Sequence, residues 1–267
     1  MTTSILLLYL TAGVVSGLLA GLFGLGGGVV VVPALLYIFP HDPALQHTGH
    51  MHLALATSMA TILVSSTAAS LAHHRQHAVL WPMVTRMLPG CLLGTLLASI
   101  LVARIPGVYL KGTFMLFELY VATTLLLGRP PPPRRTDQDL PPYAGAAGMI
   151  IGFFSTLLGA GGGSLTVPYL HHVGFPLRHV AATSSVFTAL MALMATTWFV
   201  LQPGPGIPGT MGFVYGPALL AVGLASVACA PLGAHLANRL NAAFLRRVLA
   251  VVFYAVACDI AYGLLTP

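Results

Sequence analysis

Long apolar runs alternate with short polar breaks along the whole chain. Eight of these runs, 4–24, 53–72, 82–103, 107–127, 143–159, 180–201, 213–237 and 243–265, approach or exceed the ~20 residues that a helix needs to cross hydrocarbon. They predict eight membrane helices. Two shorter runs, 29–39 and 164–173, reach only about half-way through a bilayer at about 1.5 Å per residue. They predict half-helices. Each short run follows a glycine-rich break: Gly21-Leu-Phe-Gly-Leu-Gly-Gly-Gly28 leads to Pro33, and Leu158-Gly-Ala-Gly-Gly-Gly163 leads to Pro168, 135 residues further on. Lipid cannot satisfy free backbone groups, so such breaks are tolerated only where protein or a water-filled cavity surrounds them.

The order of features repeats. After each glycine break come a proline, then Ala56-Thr57-Ser58 or Ala182-Thr183-Ser184, then a span carrying Gly90 and Gly94 or Cys229 and Gly233. Between the copies lies the one polar, proline-rich stretch, 128–142. This predicts an all-α polytopic membrane protein of two homologous halves, 1–127 and 143–267, joined by a cytoplasmic linker at 128–142. Each half has a glycine-broken helix or hairpin plus three transmembrane helices. An internal duplication with paired interruptions is the pattern that marks a transporter's binding site.

Charge orients the halves. If each broken segment crosses the membrane once, Lys and Arg divide five against six between the two sides. If it returns to its starting side, Arg75, Arg86, Arg129, Arg134, Arg135, Arg178, Arg239, Arg246 and Arg247 share one side and Arg104 and Lys111 the other, nine against two. Positive residues gather in the cytoplasm, so the second arrangement, inverted repeats with both termini outside the cytoplasm, is expected. The first run has no positive flank and contains the glycine motif, so it is not read as a cleaved signal.

Composition agrees with this picture. The chain of 267 residues is 57% hydrophobic and 6% charged, against about 25% charged in soluble domains. Its formal charge of +6 is spread singly between spans, which argues against nucleic acid as a partner. Cys91, Cys229 and Cys258 lack CxxC spacing and predict neither a disulfide framework nor a thiolate metal site.

Candidate chemistry centres on the breaks. A helix starting after a glycine run leaves its first amides unpaired, and these, with the helix dipole, attract anions. Gly26, Gly27, Gly28, Gly161, Gly162 and Gly163, with the hydroxyls of Thr57, Ser58, Ser164, Thr183 and Ser184, form the expected anion site. Gly94 and Gly233 are read instead as helix-packing glycines. Glu118 and Asp259 are the only acids within predicted spans, and an intramembrane acid is a functional candidate; proton coupling is their expected role. Histidines cluster at His47, His50 and His52, at His73, His74 and His77, and at His171, His172 and His179. They raise the alternative of a divalent-metal permease using His-rich loops, although no metal site or cofactor is expected. Neither G-x-S-x-G nor a Walker-type lysine is present, so no enzyme is expected.

In its glycine runs, in Leu53-Ala-Leu-Ala-Thr-Ser58 and its second-half copy, in Ser70-Leu-Ala-His-His-Arg-Gln-His77 before Trp81, and in Gly233-Ala-His-Leu-Ala-Asn-Arg-Leu240 leading to Arg246 and Arg247, the chain resembles the sulfite exporter TauE/SafE family of membrane permeases. The resemblance implies a secondary transporter, expected to export sulfite, sulfonates, thiosulfate or related organic anions across the cytoplasmic membrane without ATP. It implies a small anion and membrane lipid as partners and leaves a homodimer open. Leu80 stands where members often carry an acid.

Overall fold

The computed structural model describes residues 3–23, 27–45, 49–127, 141–237 and 242–265. Gly26, His47 and the linker up to residue 140 lie outside them. The described residues form a multi-pass helical protein, with helices α1 (Thr3–Phe23), α2 (Gly28–Ile38), α3 (His50–Arg75), α4 (Trp81–Val102), α5 (Gly107–Leu127), α6 (Ala144–Leu157), α7 (Gly163–Val173), α8 (Leu177–Leu201), α9 (Gly216–Ala237) and α10 (Ala242–Leu265). A two-stranded ribbon, Thr210–Met211 paired antiparallel with Val214–Tyr215, leads into α9. Among the described residues five helices, α1, α3, α4, α8 and α9, carry spans long and apolar enough to cross a bilayer.

The expected apolar runs become helices almost residue for residue. Their large exposed side chains, such as Leu7, Leu116, Leu220 and Val251, have no aqueous rationale. Facing hydrocarbon, they need none.

Which helix packs on which is set by glycine. Along α1, a Cβ on Gly13 or Gly17 would strike the α9 backbone at Val222 or Ser226, and a Cβ on Gly233 of α9 would strike the carbonyl of Leu18. Along α4, Gly90 and Gly94 abut the carbonyls of Gly145 and Met149 in α6, while Gly152 of α6 abuts that of Cys91. Contact positions rise together in sequence, so α1 runs parallel to α9 and α4 parallel to α6. These are backbone-to-backbone crossings of the small-xxx-small kind. The expectation that Gly94 and Gly233 serve packing agrees with where they lie.

The remaining helices fill in around these pairs. Helix α3 packs on α8 and α9, α8 on α3 and α4, and α5 on α10. Exchanging each helix for the one five places later (α1 for α6, α4 for α9 and so on) maps these pairings onto themselves.

Helix α2 returns to the end at which α1 began. The Tyr9 hydroxyl on α1 donates to Asp42 Oδ2 just beyond α2 at 3.2 Å, Tyr215 donates to the same oxygen at 3.2 Å, and the amide of Ala44 donates to Oδ1 at 3.2 Å. Asp42 is 1% exposed; the three donors are what make its burial tolerable. In the second half, Ala144 at the start of α6 shares a buried cluster with Leu170 and Val173 at the end of α7.

Replacing Gly94 or Gly233 by leucine should lower the protein's melting temperature in detergent sharply, because overpacking costs about 1–3 kcal/mol or more where backbone cannot yield. Alanine at Gly112 or Gly263, where an added Cβ meets nothing within 4 Å, should leave it unchanged. Equal effects at both kinds of site would contradict glycine-set packing.

Candidate functional site

Both breaks interrupt the helix by backbone geometry. Gly27 has φ 74°, and in the second break Gly159 and Gly161 have φ 61° and 72°. Side chains other than glycine rarely tolerate this left-handed region. The second break spans the non-helical residues 158–162, all buried.

The two breaks meet. A Cβ on Gly28, the first residue of α2, would lie 2.8 Å from the carbonyl of Ala160 in the second break. The Ile62 side chain of α3 touches Gly28, and its Cδ1 lies 3.1 Å from the Cβ position of Gly161. From α8, Thr188 Cγ2 lies 3.2 Å from that same position, and the Met191 methyl covers Gly162. Helices α3 and α8 thus hold the paired breaks between them.

Each half-helix directs amides into this region. In α2 the first bonds back to the cap run from Val30 and Val31 to the Gly27 carbonyl, which also accepts from Ser16 at 3.3 Å. In α7 the first is Thr166 to Gly162, at 3.0 Å. The amides of Gly28 and Val29, and of Gly163, Ser164 and Leu165, therefore have no backbone acceptor among the described residues. Two helix N-termini pointing at one locus make an electropositive, uncharged site.

Of the hydroxyls expected there, Ser58 donates to the Gly159 carbonyl at 2.8 Å and so ties α3 to the second break. Ser164 donates to its own Gly161 at 3.2 Å. Ser184 is fully buried and its hydroxyl has no partner among the described residues. Thr57 and Thr183 do something else. Thr57 Oγ1 accepts from the amide of Tyr215 ahead of α9, and Thr183 Oγ1 from the amide of Leu80 ahead of α4, each at 3.0 Å. These threonines cap helices of the opposite half.

Ile62, Thr188 and Met191 were not anticipated as site residues. The signal was available, since Ile62 and Thr188 stand one helical turn beyond Ser58 and Ser184 on the same faces.

The acids separate. Glu118 on α5 is 0% exposed with neither carboxylate oxygen partnered, whereas Asp259 is exposed on α10. Phe114, Phe117, Val121 and Ala122 flank Glu118 on α5, in one buried cluster with Phe253 and Ile260 of α10. Four histidines serve local structure: His41 bonds the Tyr37 carbonyl, His50 that of Leu45, His52 those of Val102 and Ile105, and His179 that of Ala78, while neither buried ring nitrogen of His171 has a partner among the described residues. Among the described residues no group of three His, Cys, Asp or Glu side chains is placed to hold a metal.

Comparison with known proteins bears on this arrangement. The family model described as Sulfite exporter TauE/SafE matches residues 9–260. A probable membrane transporter protein of Haemophilus influenzae is 28% identical over 257 residues, covering 95% of this chain and 97% of that protein. One from Methanocaldococcus jannaschii is 23% identical over 92% of this chain and 91% of its own length. The probable membrane transporter protein YunE of Bacillus subtilis is 24% identical, with 94% and 95% covered.

Valine at Thr57 or Thr183 should destabilise the fold by about 1–3 kcal/mol, the cost of stranding a buried amide, while serine should retain most of the stability. Thermal melts of the purified variants would read this; valine melting like wild type would remove the capping role.

Proposed function

Because the chain belongs to the TauE/SafE sulfite exporter family and is a membrane transporter rather than an enzyme, we propose that it moves small sulfur-containing or organic anions, such as sulfite, sulfonates or thiosulfate, across the cytoplasmic membrane as a secondary transporter, with export as its direction. The observation that carries this reading is the meeting of the two glycine breaks at Gly28 and Ala160. Each half-helix end favours a negative charge by about 0.3–1 kcal/mol, and by up to ~2 when partly buried. Two ends then give roughly 2–4 kcal/mol, close to the ~4.1 of millimolar affinity. Hydroxyls supply the rest. Binding of that strength suits a solute that must also be released.

The site is Gly26, Gly27 and Gly28 with Gly161, Gly162, Gly163 and Ser164, bordered by Ser58 and Ser184. Thr57 and Thr183 act one step removed, by fixing the helices around it. The two halves are inverted repeats, a reading supported by the exchange symmetry of the helix pairings and by the return of α2 to the start of α1. The side bearing Arg75, Arg86 and the 128–142 linker faces the cytoplasm, as the nine-to-two division of positive residues favours.

Glu118 is the coupling residue in this reading. A carboxylate costs at least ~2.5–3.5 kcal/mol at the centre of a membrane helix, and among the described residues Glu118 has no partner to offset it. Carrying a proton removes that cost. Asp259, exposed on the outer face of α10, is the weaker candidate.

Proteoliposomes containing the wild type should accumulate sulfite or a small sulfonate, and Gly27→Val with Gly162→Val should abolish this while leaving a folded, monodisperse protein. Undiminished flux in the double variant, or flux of divalent metal alone, would refute the site. Glu118→Gln should uncouple uptake from an imposed pH gradient; an unchanged response would remove Glu118 from the mechanism. In a background lacking Cys91, Cys229 and Cys258, cysteines placed in the linker should label only from the cytoplasmic side.

A further inference from the structure

The end of the molecule at which α1 begins is fastened by a polar clasp. The buried Asp42 takes the hydroxyls of Tyr9 and Tyr215 on Oδ2 and the amide of Ala44 on Oδ1, each at 3.2 Å. The chain beyond α2 is thereby tied to α1 on one side and to the ribbon ahead of α9 on the other. Phe39 fills the space between the two tyrosines, edge-on to Tyr9 and Tyr215 with ring centroids 6.5 and 6.0 Å away. Both tyrosines are as deeply buried as the aspartate.

The opposite end has a matching seam without the polar groups. A shift of 135 residues carries Gly28 onto Gly163 and Pro33 onto Pro168. The same shift carries Tyr9, Leu35 and Ile38, which share one buried cluster, onto Ala144, Leu170 and Val173, which share another. Tyr215 and Leu80 correspond as well, because their amides donate to the matching hydroxyls of Thr57 and Thr183. Alanine thus stands for one tyrosine and leucine for the other. The link from α7 to α8 is Gly174-Phe175-Pro176, which holds no acid.

The two seams respond differently to being parted. Apolar surface brought into water is penalised in proportion to its area, so the Ala144 end resists every step of opening. Hydrogen bonds depend on distance and angle and are lost once the partners separate, after which the carboxylate and hydroxyls regain their bonds to water. The Asp42 end therefore has two distinct states, fastened and hydrated. It is also connected to the breaks: the Tyr215 amide sits on Thr57, and the next residue, Ser58, holds the Gly159 carbonyl of the second break at 2.8 Å.

We propose that Asp42, Tyr9 and Tyr215 form the gate at one end of the transport path, a latch whose hydrogen bonds hold that end shut and so bias the transporter toward opening at the other. Alternating access requires the two ends to open in turn. Loss of either tyrosine hydroxyl leaves the buried Asp42 with one donor fewer, which penalises the fastened state alone. The proposal rests on the inverted-repeat transporter reading above and not on the identity of the anion.

The test places a single reporter cysteine at one of two matching positions in a background lacking Cys91, Cys229 and Cys258. Ala54→Cys lies in the cluster of Tyr9 and Tyr215, and Val180→Cys in that of Ala144. Both native residues are fully buried, so the rate of N-ethylmaleimide labelling in proteoliposomes reads how often each end opens. Tyr9→Phe and Tyr215→Phe, made separately, should each speed labelling at Ala54→Cys about tenfold, the scale of one hydrogen bond to a charged group, and slow it at Val180→Cys. Asp42→Asn, which keeps the shape, should act in the same direction. The Tyr215 amide survives in the phenylalanine variant, so its bond to Thr57 is left in place. Labelling that stays at wild-type rates at both positions, or that rises at both together as general loosening would make it, overturns the latch. Wild-type proteoliposomes that take up no sulfite or sulfonate overturn the anion reading instead, and the labelling rates still decide the latch.

Discussion

A backbone that leaves the helix inside a membrane must find protein partners for the groups it uncovers, and this requirement organises the molecule. Gly27, Gly28 and the whole second break are buried, and several hydroxyls of α3 and α8 answer to them or to the helices beside them. Ser58 meets the carbonyl of Gly159, Ser16 that of Gly27, and Thr57 and Thr183 take the amides that precede α9 and α4. All but the Ser16 bond join residues more than a hundred positions apart, 101, 103 and 158. Among the described residues the first amides of α2 and α7 keep no backbone acceptor, and buried hydroxyls without a partner stand on several helices, among them Ser155 on α6, Thr166 on α7, Ser184 and Thr188 on α8 and Ser226 on α9.

The spans were legible because lipid imposes a single rule over about twenty residues at a time. Even the half-helices could be read, since eleven-residue segments such as Gly28–Ile38 and Gly163–Val173 are too short to cross. The roles of single hydroxyls were not legible in the same way. Thr57 and Ser58 are neighbours in a repeated motif and look equivalent. A helix turns about 100° per residue, however, so they face different partners, and the amide that Thr57 accepts lies 158 residues away. No local pattern encodes that distance. Glu118 and Asp259 illustrate the same limit, because two acids within apolar runs read alike until packing buries one among phenylalanines and leaves the other on the outer surface of α10.

In the proposed anion site the binding groups are partial charges at helix ends and neutral hydroxyls rather than a fixed opposing charge. A guanidinium beside the breaks would bind an oxyanion tightly and release it slowly. Partial charges at helix ends and neutral hydroxyls hold it only moderately, and the energy gained per contact stays near that of ordinary hydrogen bonds. Of the two buried carboxyls among the described residues, Asp42 is met by three donors and Glu118 by none.

The glycine crossings carry a consequence for biogenesis. Helix α1 leaves the ribosome well before α9, yet the surface cut to receive it, around Val222 and Ser226, belongs to α9. Until α9 is inserted, α1 sits in lipid with its glycine stripe uncovered. The N-terminal half is thus an unfinished object by itself, and its assembly waits on the synthesis of α9.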